Sequence, residues 1–273
     1  MEHHKYLQNL RTLEALCQTA MDLSIATHGR EVPTWQEEYA SHIFGKICVT
    51  VISILRLLPK SSLYVATNNV AIWDISSVSI LTRSLIDAYY AFYYLVVDKI
   101  DKNESDFRLI LWKLHAECER LKMLELIKSS NPRISDIRKN IGQLRKQLEA
   151  NKFFQSLDSR NKKHYINGKK GIFLTHSQIS ENAGINPDYY KAVYKDLSNY
   201  VHTYPFSISQ IALFRAGQPA SLALFKPVVD YCSGYLCLAI RDFIKLVPDQ
   251  LNNFSHHIIE TMKHWEYIMR FEE

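Results

Sequence analysis

Apolar residues recur at three- and four-residue steps from the start of the chain. Leu7, Leu10, Leu13, Leu16, Ala20 and Leu23 share one stripe, which predicts an amphipathic helix over residues 5–28. THGREVP interrupts that rhythm, and Pro33 opens a second helix running to about Leu58, before Pro59. Asp74 stands where it caps a third helix, ISSVSILTRSLIDAYYAFYYLVVDK. DKNESD reads as a turn, Phe107 to Lys128 as a fourth helix, and SSNP as its end. A fifth helix, ISDIRKNIGQLRKQLEANKFF, places apolar positions 134, 137, 141, 144 and 148 on one side and basic residues on the other.

SRNKKHYINGKKG reads as an exposed basic loop. THSQISEN then predicts a short helix that stops at Gly184. Asn186 caps the next helix, with Pro187 in its first position. Two further helices are expected at roughly 220–247 and 254–271. Only GIFLTH hints at a strand, and no repeat of fixed period occurs. The pattern predicts an all-α fold: one domain over 1–273, a bundle of long antiparallel helices with short helical elaborations.

Composition agrees, with 47% hydrophobic residues and only eight Gly and eight Pro, too few for a turn-rich β fold. The five cysteines (17, 48, 118, 232 and 237) are scattered and form no CxxC pair, so neither a disulfide framework nor a zinc knuckle is expected. A reducing, cytoplasmic setting follows. The most apolar stretches, ICVTVISILRLLP and YCSGYLCLAI, are bounded by charge short of the ~20 residues of a spanning helix, and read as core. EHHK after Met1 does not resemble a secretory signal. The expectation is a soluble protein.

The net charge of +5 is uneven. From Arg133 to Lys170 there are eleven Lys or Arg against three acids, a net +8, and the remainder is −3. Such a block attracts phosphate, and it makes Arg138, Lys139, Arg145, Lys146, Arg160, Lys162, Lys163, Lys169 and Lys170 candidate nucleic-acid contacts. A solvated helix face with a mobile loop explains the same charges.

Two constellations carry possible chemistry. On the third helix Arg83 and Asp87 stand four apart, with Ser76, Tyr90 and Tyr94 on the same side. They read either as a buried ion pair that sets helix register or as an anion holder and its orienter. In YKDLSNYVHTYP, helical spacing gathers Lys195, Ser198, Asn199 and His202 on one wall. Histidine suits proton transfer near neutrality, although at a helix end it more often complements the carbonyls. His115 with Glu119, and His256, His257 and His264, lack the partners a metal site needs. No phosphate-binding glycine loop or GxSxG elbow is present. No cofactor and no metal is expected.

WDISSVSILTRSLIDAYYAFYYLV and ISENAGINPDYYKAVYKDLSNYVH together resemble a microbial family called domain of unknown function 5677. The matching positions are Asp74, Arg83, Ser84, Asp87, Tyr194, Leu197, Ser198 and His202, over roughly 70–230. A helical pair at 1–60 precedes that core, and a helix at 250–273 follows it. The all-helical form is similar to the HEPN proteins of toxins and phage defence, several of them metal-independent ribonucleases marked by an Arg and a His a few residues apart on one helix. This chain departs from that mark. Lys195 precedes His202 with six residues between, and Leu197 occupies the nearest Arg position.

The resemblance implies an RNA- or nucleotide-directed defence or toxin-type protein. His202 would move protons, Arg83 and Lys195 would hold phosphate, and Asp87, Ser198 and Asn199 would position them. The alternative is a non-catalytic interaction or regulatory bundle with an Arg, Asp and His structural network. The Arg83 and His202 helices are expected side by side. The apolar faces at 89–97 and 231–240 suggest a two-fold homodimer.

Overall fold

A computed structural model of the chain describes residues 2–64 and 72–270. Every regular element among them is helical. The α-helices are α1 (Glu2–Ala26), α2 (Trp35–Leu57), α3 (Ile75–Phe92), α4 (Lys102–Leu126), α5 (Ile134–Ala150), α6 (Lys152–Ser156), α7 (Ser159–Ile166), α8 (His176–Asn182), α9 (Pro187–Val201), α10 (Pro205–Leu213), α11 (Lys226–Ile244) and α12 (His256–Arg270). A π-helical turn spans Tyr93–Val97, and 3-10 turns span Pro219–Leu224 and Pro248–Asn253. Positions 70 and 71, where the family-like core was expected to begin, and Phe271 lie outside the described residues.

Side-chain caps decide where these helices start. Thr34 and Glu37 form a reciprocal capping box on α2, and Asp74 accepts the Ser77 amide at 3.0 Å. Three caps move boundaries away from the sequence expectation. Asp101 accepts the amides of Asn103 and Glu104, so α4 begins before Phe107 and takes in most of the supposed turn. Asn151 accepts the Phe154 amide and splits the fifth helix, starting α6. Asp158 accepts the Asn161 amide at 2.9 Å, so SRNKKHYI is the helix α7 and not a loop. GIFLT is irregular, and its following His176 opens α8.

The chain divides into two compact units, Met1–Val97 with His176–Glu273, and Asp98–Thr175. In the first, α2 and α9 flank α3, while α11 packs against α1, α3 and α12. The N- and C-terminal helices therefore share one core with α3 and α9. Tyr6, Leu10, Leu13, Phe44, Tyr89, Tyr90, Phe92, Tyr235 and Leu236 are almost fully buried there. Asp242, 1% exposed, accepts the Tyr89 hydroxyl at 2.9 Å and binds Arg241 and Lys245 at 2.8 and 2.7 Å. The apolar faces at 89–97 and 231–240 are thus covered mainly within this unit. α2 and the stretch Pro219–Ile244 are long and apolar enough to cross a membrane by length and composition. Much of each is buried in the unit.

The second unit folds α5, α6 and α7 around α4. Phe107, Leu111, Leu114, Ile137, Ile141, Leu148, Phe154 and Tyr165 form its core. Arg108, 2% exposed, is held between Asp98 at 2.8 Å and Glu104 at 2.5 Å. Such a buried cation is tolerable because it is neutralised on the spot.

Candidate functional site

α3 carries Arg83 and Asp87 one turn apart, but they do not form the contact ion pair that their spacing suggests. The half-buried Arg83 guanidinium lies over the Tyr194 ring, 4.2 Å from its centroid. It donates to the Tyr194 hydroxyl and, at 3.3 Å, to Ser198 Oγ. Ser198 in turn donates its own proton to the Tyr194 carbonyl at 2.5 Å. The serine is thereby committed as an acceptor that aims the arginine, and not as a nucleophile. Two residues one turn apart on α9 thus supply a ring face and an oxygen for one guanidinium.

The second half of the site is His176, the first residue of α8. Its Nδ1 shares a 2.7 Å hydrogen bond with the Tyr190 hydroxyl, in a direction set by the imidazole tautomer. The rings of Tyr90, Tyr190 and Tyr194 surround it at 5.2, 5.8 and 6.0 Å. Behind it Ser180 donates to the His176 carbonyl at 2.8 Å and contacts the Tyr90 hydroxyl at 2.7 Å. Burial lowers the His176 pKa, with Asp87 pulling it up and Arg83 pushing it down. The ring is therefore neutral at pH 7. Asp87 opens to solvent but sits in crowded surroundings. That desolvation raises its pKa, against the opposing pull of His176, Arg83 and Lys46 of α2. No described residue donates a hydrogen bond to its carboxyl.

The expected site residues therefore separate. Arg83, Asp87 and Ser198 come together on the facing sides of α3 and α9, which are adjacent. Lys195 is exposed, and Asn199 donates to the Lys195 carbonyl at 2.8 Å. His202 is exposed at the end of α9, its ring tilted against that of Tyr204 with centroids 5.3 Å apart; its side chain bonds neither Arg83 nor Ser198. Its backbone closes the helix: Thr203 has φ 54°, and the Tyr204 amide returns to the Asn199 carbonyl at 3.0 Å. Ser76 and Ser84 make no side-chain hydrogen bond to this cluster, while Tyr94 is buried in the core.

His176, Tyr190 and Lys46 escaped the sequence reading because they stand on other helices or outside the chosen face. The only local signal was a histidine opening the short THSQISEN helix. Among the basic candidates, Arg138 pairs with Glu125 at 3.0 Å, Arg145 donates to the Ile166 carbonyl at 3.1 Å and Lys162 to the Gln155 carbonyl at 2.5 Å. Lys139 and Lys146 are exposed on α5. Arg160, Lys163, Lys169 and Lys170 line one hollow of the second unit. Among the described residues, no three His, Cys, Asp or Glu side chains gather as metal ligands would.

A family model described as "Family of unknown function (DUF5677)" matches residues 37–216, from α2 to just past α10. The match starts earlier than the 70–230 span drawn from the motifs, and stops before α11. No curated protein and no solved structure matches the chain.

Proposed function

The chain belongs to the DUF5677 family, and from that premise we propose that it is an RNA-directed protein, a ribonuclease that binds phosphate at Arg83 and moves protons through His176. One observation carries this reading: α3, α8 and α9 bring together a guanidinium, a histidine kept neutral by burial and a carboxyl without a hydrogen-bond donor. Ring stacking and Ser198 preorganise Arg83, which spends two of its five N–H groups on them and keeps the rest for phosphate oxygens.

With Nδ1–H donating to Tyr190, Nε2 takes the proton of a ribose 2′-hydroxyl. The freed oxygen attacks the neighbouring phosphorus, and the bond to the 5′ oxygen breaks. Asp87, protonated more readily than an ordinary aspartate, gives that oxygen its proton. The products are a 2′,3′-cyclic phosphate and a 5′-hydroxyl, and solvent exchange restores both side chains. Arg83 neutralises the charge that builds on the phosphoryl oxygens.

The test is incubation of the full chain with labelled single-stranded RNA at low salt, where phosphate contacts are strongest. Cleavage with cyclic-phosphate ends is expected. Intact RNA that the protein also fails to bind contradicts the reading.

A second reading is a non-catalytic helical module with a structural polar network. It is favoured by the continuous chain from Tyr190 through His176 and Ser180 to Tyr90 and Tyr235, in which each member has a partner. Replacing His176 then loosens α8 from α3 and α9 and lowers the melting temperature, with no effect on any RNA.

A further inference from the structure

We propose that a hollow of about 740 Å³ in the second unit is a binding site for successive phosphate groups, as presented by a single-stranded RNA backbone or a nucleoside triphosphate. Arg160, Lys163, Lys169 and Lys170 line it, together with Asn161, His164, Tyr165 and Asn167. The only acid in its lining is Asp158, and that carboxylate is spent on the start of α7, accepting the Asn161 amide at 2.9 Å and its side-chain nitrogen at 2.6 Å.

Local structure explains how four cations reach one concavity. Arg160 and Lys163 stand three apart on α7, so they share a face. The helix then ends, and Gly168, at φ +67°, turns the chain so that Lys169 and Lys170 join the same wall. Only glycine serves there, because a Cβ would lie 2.4 Å from Cys118 Sγ. The turn is fixed further by the hydrogen bond between His115 Nδ1 and the Gly168 carbonyl, 2.9 Å.

Charge then separates this hollow from the rest of the basic segment. Arg138, Arg145 and Lys162 have protein partners, as described above, whereas no described acid pairs with Arg160, Lys163, Lys169 or Lys170. Like charges gathered without counter-charge repel one another, and a polyanion relieves that repulsion. The volume lies within the range of small-molecule sites, roughly 300–1,000 Å³. The inference goes beyond the reading of the Arg83 site, since every lining residue belongs to the second unit and no reaction is required.

The experiment is fluorescence anisotropy of the full chain with a short labelled single-stranded RNA, followed by competition with adenosine triphosphate. Four contacts to a single strand predict a salt slope of about −2.8, roughly a fifty-fold loss of affinity between about 50 and 200 mM salt. Lys163→Gln/Lys169→Gln/Lys170→Gln reduces the slope to about −0.7 and weakens low-salt binding at least about tenfold. Lys139→Gln/Lys146→Gln changes low-salt affinity less than about twofold, which separates loss at the hollow from loss of basic charge on α5.

The replaced lysines hold nothing in place, so the melting temperature stays that of the wild type, and a single Lys170→Gln shows a smaller loss in the same direction. Displacement of RNA by the triphosphate through the same lysines means that a phosphate chain suffices; binding of RNA alone means that an extended strand is needed. Both support the site. Undiminished binding by the triple variant overturns it, as does a wild-type chain that binds neither probe.

Discussion

Arg83 and Asp87 sit four residues apart in an apolar helix, and spacing within that helix makes them obvious partners. The structure gives Arg83 a better one, because Tyr194 offers a ring face and a hydroxyl that no within-helix pattern reveals. His176 was invisible for the same reason: its companions come from other helices. Its pKa supplies a test. Burial lowers it, so as pH falls below the ordinary histidine value near 6.5 the unfolded chain binds the proton first, and stability present above that value is lost toward the lowered one. Asp87 acts oppositely: its pKa is raised, so stability increases as pH falls from the raised value toward 3.8. Denaturation midpoints measured against pH are expected to show the wild type losing stability below about pH 6.5 relative to His176→Asn. Parallel curves would sink the buried, neutral histidine. A second test concerns Asp242, which is buried and accepts the Tyr89 hydroxyl: Asp242→Ala is expected to cost about 1.5–3 kcal/mol in urea denaturation, by leaving that hydroxyl without its acceptor and Arg241 with Glu266 alone, 3.5 Å away. A loss under about 1 kcal/mol would show that the cluster is not closed.

Helix boundaries were legible where a cap announced them. Asp74 and Asn186 stand where the sequence placed them, and Asn186 accepts the amides of Asp188 and Tyr189. Charge hides a boundary where it suggests an exposed loop: in SRNKKHYI, the Asp158 cap and the buried Tyr165 outweigh five basic or amide side chains. The start and end of α9 yield opposite predictions. Asn186→Ala removes two amide bonds at the helix that carries Tyr194 and Ser198, and is expected to cost about 1 kcal/mol. Thr203→Gly is expected to stabilise by roughly 0.4–1 kcal/mol, because a β-branched residue is strained at φ 54° and glycine is not. Thermal melts of the two variants should shift in opposite directions. A destabilised Thr203→Gly would mean that the threonine contributes something beyond its backbone.

At the scale of the molecule, the helical class and the basic block were plain from periodicity and charge, whereas the division into two units was not. Amphipathic rhythm says that a helix has a core face, but not which core it joins. The division gives the charge asymmetry a structural home. Asp98–Thr175 holds eighteen Lys or Arg against ten Asp or Glu, and the other unit is net −3. On the reading proposed above, recruitment of a polyanion and chemistry on it would rest on residues of different units, and each could be removed alone. The exposed apolar side chains of Phe206, Ile208, Ile211 and Leu213 lie on α10, away from the faces that periodicity singled out for pairing. The central claim is that His176, and not His202, is the histidine of the site. Its most direct measurement is the rate of RNA cleavage at low salt by wild type, His176→Asn and His202→Ala, each checked for its melting temperature. His176→Asn is expected to lose about 10²–10⁴-fold, the usual worth of a proton-transfer group, while His202→Ala stays within about twofold of wild type. Cleavage that survives His176→Asn and disappears with His202→Ala would contradict the account.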